Sequence, residues 1–220
     1  MVKERIKETD SGITGEFETQ SYDIMMRSLR DKGWMETNDL IKGGITSGLA
    51  LEIGPGPGYL GLEWLKHTEN TRLNGLDISD DMLNLARKNA KEYGLSHRTE
   101  YFQGNASSLP FMDNYFDAAF TNGSLHEWEH PDKIMNEIFR VLKPGGKYVI
   151  TDLRRDMSPI FKWLLCLVAK PRIMRDGLIS SINAAYTQTE LINLIRQTGL
   201  NSGQVSQNLI GLAVSGQKSI

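Results

Sequence analysis

The chain has 220 residues, a 40% apolar fraction, and 25 Lys plus Arg against 27 Asp plus Glu, for a net charge of -2. That composition supplies one folded core and excludes a largely disordered chain. The charge balance argues against a stable nucleic-acid partner, because nonspecific binding to a polyanion needs surplus cations.

The single cysteine, Cys166, permits no internal disulfide and no multi-cysteine zinc site, so the chain reads as cytoplasmic. Met1 to Asp10 is charged and lacks the apolar run of a signal peptide. Pro159 to Ala169 is the nearest approach to a membrane span, but it is too short and Lys162 breaks it.

In chain order, Met1 to Phe17 reads as a loose polar arm. Tyr22, Met25, Met26 and Leu29 then recur at helical intervals, predicting an amphipathic helix over Ser21 to Lys32 that covers either a ligand or a sheet edge. Leu49 to Ile53 is a first strand, ended by Gly54-Pro55-Gly56-Pro57-Gly58, and Leu60, Trp64 and Leu65 form one face of the next helix. Arg72 to Leu76 is a second strand ending at Asp77, and Ser79 caps a helix carrying Met82, Leu83, Ala86 and Ala90. Thr99 to Phe102 and Phe116 to Phe120 are further strands. Pro131 opens a helix over Ile134 to Leu142 that Pro144-Gly145-Gly146 stops, and Lys147 to Thr151 is the fifth strand.

Residues 153–186 break the alternation and read as a lid-like insertion over the strand ends. Thr187 with Glu190 forms a capping box for a helix carrying Ile192 and Ile195, and Gln204 to Gln207 with Leu209 to Val214 forms a closing antiparallel pair. Short strands alternating with longer helices require parallel crossovers. The expected architecture is one α/β domain over 1–220, with an arm and helix over 1–40 and a mostly parallel sheet between two helical layers. Ligands of such sheets bind beyond the carboxyl ends of the strands, which brings together Gly54, Asp77, Asn105, Thr121 and Asp152.

The glycine loop is the strongest chemical signal, because it lets backbone turn tightly where a ligand approaches and aims the following helix at it. Tyr59 stands where a dinucleotide loop needs glycine, and no phosphate loop with Gly-Lys-Ser or Gly-Lys-Thr occurs. Asp77, 23 residues after Gly54, suits the vicinal hydroxyls of a ribose, which reward a carboxylate with two acceptor oxygens.

Together these residues resemble the class I S-adenosylmethionine-dependent methyltransferases, particularly the small-molecule subgroup that includes ubiquinone and menaquinone biosynthesis enzymes. The likeness runs from Glu52 with Gly54, Gly56 and Gly58, through Gly75-Leu76-Asp77-Ile78-Ser79, to Asn105-Ala106 with Leu109-Pro110-Phe111. It ends in Phe116-Asp117 and Arg140 to Gly146. The resemblance implies a three-layer α/β/α Rossmann-like fold whose seven-stranded sheet carries an antiparallel C-terminal strand. S-adenosylmethionine is the implied cofactor. Glu52 would orient its methionyl ammonium directly or through water, Gly54, Pro55, Gly56 and Gly58 would cover it, Asp77 would bind the ribose, and Ile78 would be a further cofactor contact. Asn105 and Ala106 would meet the adenine, although Asn105 stands where Asp is more frequent, and Thr121 and Asn122 would reach the methionine end.

A methyl acceptor then lies near Leu125 to His130 and the insertion. His126 is the candidate base or acceptor contact, with a purely structural role left open. The order of His126, His130 and Pro131 argues against a metal site. Tyr22, Arg154, Arg155 and Trp163 are candidate acceptor contacts; the arginines suit an anionic acceptor or a salt-bridged hinge, and the Trp163 segment suits the pocket or a second subunit, leaving monomer and homodimer open. The leading expectation is methyl transfer to a small molecule. Methylation of nucleic acid or protein, or S-adenosylmethionine binding without turnover, are the alternatives.

Overall fold

The computed structural model describes residues 4–8 and 12–219. In chain order the elements are α1 (Glu16–Asp31), α2 (Thr37–Lys42), β1 (Gly48–Ile53), α3 (Tyr59–Lys66), β2 (Thr71–Asp77), α4 (Asp80–Glu92), β3 (Thr99–Gln103) and β4 (Phe116–Asn122). They continue as α5 (Pro131–Val141), β5 (Leu142–Leu153), α6 (Pro159–Val168), α7 (Met174–Ala184), α8 (Gln188–Ile195), β6 (Gln204–Gln207) and β7 (Gly211–Gln217). The strands form one sheet in the order β3-β2-β1-β4-β5-β7-β6, with β1 to β5 parallel and β7 antiparallel to both neighbours. The sheet order reverses between β1 and β4, which opens a crevice at their carboxyl ends.

The period-2 alternation of strands fills two layers. Leu51 and Ile53 of β1 join Ile138 of α5 and Leu191 and Ile195 of α8 on one face, whereas Ala50 joins Leu60 and Trp64 of α3 and Leu40 of α2 on the other. Trp64 is wholly buried and donates its indole N–H to Ile45 O at 2.8 Å, so its apolar area is buried with no polar group stranded. α4 packs Leu83, Ala86 and Ala90 against Leu62 and Tyr101. Its Ser79 cap accepts from Met82 N at 3.2 Å, and the capping box at Thr187 and Glu190 closes in both directions.

Several expected boundaries move. α1 begins at Glu16 rather than Ser21, because Gly15 caps it with φ 94° and Glu16 and Glu18 complement the positive helix end. α5 ends at Val141, before the Pro-Gly-Gly run, and Leu142 already pairs with Phe116, the register shifting before Ala118 pairs with Lys147. β7 starts at Gly211, because Asn208 Oδ1 accepts the N–H groups of Ile210 and Gly211 and holds Leu209 in the turn. The insertion over 153–186 contains α6 and α7. The loose arm is also revised in part. Arg5 donates to Ala184 O at 2.5 Å and to His126 O at 2.9 Å, and its guanidinium lies 4.2 Å over the Tyr186 ring. The arm's residues 1–3 and 9–11 lie outside the described part.

Candidate active site

A cleft at the carboxyl ends of β1 to β4 encloses about 720 Å³ of unfilled space, part of it open to solvent. Gly54 and Gly56 form its β1 wall, and Leu76, Asp77 and Ile78 its β2 wall. Asn105 and Ala106 close the β3 side, and Asn122 to Ser124 with Glu127 and Trp128 close the β4 side. Gly12, Ile13 and Tyr22 come over it from the arm and α1. Gly54 is required sterically: its φ is 63°, and a Cβ there would lie 2.9 Å from Ser124 Cβ.

Asp77 is fixed by two backbone donors, Gly56 N on Oδ2 and Ser79 N on Oδ1, both at 3.0 Å. Each oxygen keeps a further acceptor lone pair for hydroxyls entering the cleft. Burial raises the Asp77 pKa, against those backbone hydrogen bonds, which hold it down. Asn105 uses its side-chain oxygen to accept from Ser107 N at 2.8 Å, which turns the chain so that Ala106 also faces the cleft. Asn122 donates to Glu36 Oε2 at 2.7 Å, and burial pushes Glu36 up to about 7.

Some expected site residues stand elsewhere. Glu52 is 2% exposed and lies below the loop rather than on the cleft wall, because Gly61 of α3 has no side chain and leaves room for it. Burial pushes its carboxyl up to about 8, against the hydrogen bond from Gly61 N–H and with Asp77 adding, so it is largely neutral at pH 7. Pro55, Gly58 and Thr121 support the wall without lining it; Thr121 shares a 2.5 Å hydrogen bond with Ser124. Arg154 is tied to Asp156 at 2.7 Å and to Asn208 O, and Arg155 to Glu190 at 2.5 Å and to Ala185 O. Both arginines hold the segment entering the insertion, as in a salt-bridged hinge, and neither lines the cleft. Trp163 is 60% exposed on α6 and does not line it either.

His126 is brought to β5, where Asp152 accepts from its backbone N at 2.7 Å and lies 2.8 Å from its Nδ1. Its Nε2 faces Glu8 at 3.4 Å and Glu127 at 3.9 Å. Burial works to lower the His126 pKa, but Asp152, by charge and hydrogen bond, then Glu127 and Glu8, raise it to about 9. The imidazole therefore carries its proton at neutral pH. Glu8, His126 and Glu127 place their ligand atoms within 4.8 Å of one another, the one such group among the described residues. His126 is 4% exposed, whereas Glu127 beside it lines the cleft. Burial raises Glu127 to about 7; His126 pulls it down, and Glu8, Asp152 and Asp77 push it up. Tyr22 is held above its ordinary pKa by burial and by Glu127, Asp77, Asp152 and Glu36, so it stays a neutral phenol.

Glu127 and the arm residues Glu8, Gly12 and Ile13 are what sequence reasoning missed. The dense titratable run over 125–130 marked the place but not which member faces the ligand, and nothing in the arm's spacing signals docking.

A glycine loop after β1, an acid at the end of β2 and a reversed β7 beside β5 define the class I methyltransferase fold. Residues 51–150 match the family described as a methyltransferase domain, and the chain is similar in sequence to ubiquinone and menaquinone biosynthesis methyltransferases. The chain is 32% identical over 138 residues to a demethylmenaquinone methyltransferase of Bacteroides fragilis, covering 62% of this chain and 56% of that protein. It is 25% identical over 175 residues to a ubiquinone/menaquinone biosynthesis C-methyltransferase of Roseobacter denitrificans, covering 74% and 70%. A solved methyltransferase structure from Methanococcus maripaludis superposes with a TM-score of 0.73 at 24% identity, covering 96% of this chain and 97% of that one. This chain therefore spans little more than half the length of the Bacteroides relative.

Proposed function

We propose that this chain transfers a methyl group from S-adenosylmethionine to a small-molecule acceptor in the cleft, and that Glu127 receives the acceptor's proton. The cofactor supplies, when bound, a methyl group on a cationic sulfonium. The donor set suits it: Asp77 offers carboxylate oxygens at the end of β2, while Leu76, Ile78 and Met82 offer apolar surface to a planar base. Tyr22, over the cleft from α1, and Trp128, on its β4 side, narrow the access of water, and the neutral Tyr22 phenol can donate a hydrogen bond to the acceptor.

The single observation that carries the proton-transfer role is that Glu127 lines the cleft with its pKa raised to about 7, where a general base is most effective near neutral pH. His126 is then a positioning residue. Clamped by Asp152, it holds a positive charge behind Glu127 and keeps that carboxylate ionisable despite its burial. With Arg154 and Arg155 paired elsewhere, an uncharged acceptor with an acidic O–H or C–H is favoured over an anion. Relatives named for demethylmenaquinone and for a polyprenyl benzoquinol fit that chemistry, and we assign a quinol-like acceptor class on that basis. The balanced charge and single cysteine support a cytoplasmic enzyme without a nucleic-acid partner.

A pH profile of turnover with a quinol panel tests the assignment. The rate should rise through an apparent pKa near 7 as Glu127 ionises. Glu127→Gln should flatten that limb and lower kcat by about 100-fold or more, the scale of general-base catalysis, with cofactor affinity little changed. An unaltered profile in the variant rejects Glu127 as the base.

A further inference from the structure

α6 is exposed where a helix of a globular protein is ordinarily covered. Ile160 is 68% exposed, Trp163 60%, Leu164 42% and Leu167 45%, and none of its ten residues is buried. Their spacing of three and four residues places them on one stripe of the helix, while half-buried Phe161 and Leu165 complete its inner side. Ile173, 56% exposed, extends the apolar surface beyond the helix end. A contiguous apolar face of this kind marks a contact surface.

The charges beside it indicate which one. Lys170, Arg172 and Arg175 follow the helix within eight residues, and Asp176 is the only acid between 159 and 184. The chain as a whole is negative, yet this segment carries four cations against one acid. Among the described residues Lys170, Arg172 and Arg175 have no ion-pair partner, and buried Arg175 Nε has no hydrogen-bond acceptor, unlike the paired Arg154 and Arg155 a few residues upstream. A second copy of the chain is a poor occupant. A two-fold contact sets the same patch against itself and would oppose two sets of these cations with a single Asp176 from each chain to offset them.

We infer that the α6 face docks on the surface of an anionic lipid bilayer. α6 lies in the interfacial plane with Ile160, Trp163, Leu164 and Leu167 in the acyl boundary, and Lys170 and Arg172 sit among the headgroup phosphates. Binding is peripheral: no helix among the described residues is long and apolar enough to cross a membrane. This surface lies outside the cleft and its test uses neither cofactor nor acceptor, so it stands or falls separately from the proposed reaction.

Co-sedimentation of the whole chain with phosphatidylglycerol/phosphatidylcholine vesicles, against phosphatidylcholine alone, is the test. The expected result is binding to the anionic vesicles that weakens as salt is raised, with Trp fluorescence quenched by brominated acyl chains and most of that quenching lost in Trp163→Phe. Lys170→Gln and Arg172→Gln should each lower the partition coefficient about fivefold, the effect of one cation near an anionic surface. The double variant Leu164→Asp/Leu167→Asp should lose binding while its unfolding midpoint stays near that of the parent, since both side chains are exposed. Absence of binding to anionic vesicles overturns the inference. So does a dimer in light scattering that the double variant splits, without vesicle binding, since α6 is then a subunit interface.

Discussion

Asp77 concentrates the ligand chemistry of the cleft in one side chain. Its oxygens are held by Gly56 N and Ser79 N, so the carboxylate is in place before any ligand arrives. Asp77→Ala should raise the dissociation constant for S-adenosylmethionine about tenfold or more, the scale of a charge-assisted hydrogen bond, with the fold retained. Calorimetry on the folded variant checks it, and unchanged affinity rejects the ribose role. Glu52 contrasts with Asp77, since its carboxyl is buried away from the cleft and lifted to about 8 from an ordinary 4.5. A carboxyl whose folded pKa is raised costs stability as pH climbs from its unfolded value through its folded one. His126, raised from 6.5 to about 9, adds loss of the same sign: its contribution is full below 6.5 and disappears as pH rises through 9. Glu52→Gln should therefore gain on the parent steadily between pH 5 and 8 in denaturant unfolding, whatever constant offset the amide introduces. Parallel pH dependences would contradict a neutral Glu52. Spacing alone revealed Asp77 and the loop, because a strand end and a glycine turn are local features. It did not show that Glu52 is buried under Gly61, nor which of the two readings of Arg154 and Arg155, anion contact or salt-bridged hinge, the fold favours, because burial and pairing with Asp156 and Glu190 depend on the packed chain.

At the level of elements, the five parallel strands and the Ser79 and Thr187 caps were readable from alternation and capping chemistry, which act within a few residues. α2 gave no such signal: with six residues it is held by buried Leu40 more than by its own periodicity. The arm is the larger departure. Polar and glycine-containing, it looked unattached, yet Arg5 ties it to the end of α7 and to the carbonyl of His126, while Glu8 faces the His126 ring. The clamp thus fixes both the arm over the cleft and one carboxylate that tunes the His126–Glu127 pair. Arg5→Ala should leave the sheet intact but speed hydrogen exchange in residues 4–8 and near Asn183, whose carbonyl accepts from Ile6 N at 3.2 Å. Equal exchange in parent and variant would show that Arg5 does not hold the arm.

Across the whole molecule, the reversal of sheet order between β1 and β4 gathers the loop, Asp77, Asn105 and Glu127 from four separate stretches of chain into one cleft. α6 does not line that cleft and leaves its apolar stripe exposed, while α7 packs on the segment that carries His126 and Glu127, so the two helices of the insertion have different surroundings. The central claim is that this cleft binds a sulfonium nucleoside rather than a dinucleotide: Asp77 suits the ribose of either, and the loop, with Tyr59 in place of a third dinucleotide glycine, favours the former. Titration calorimetry of the intact chain with S-adenosylmethionine, its demethylated product and NAD tests it most directly. Binding of the first two with dissociation constants of about 1 to 100 micromolar, abolished or weakened at least tenfold by Asp77→Ala and absent for NAD, is the predicted result. Tight NAD binding without binding of either sulfur nucleoside would contradict it.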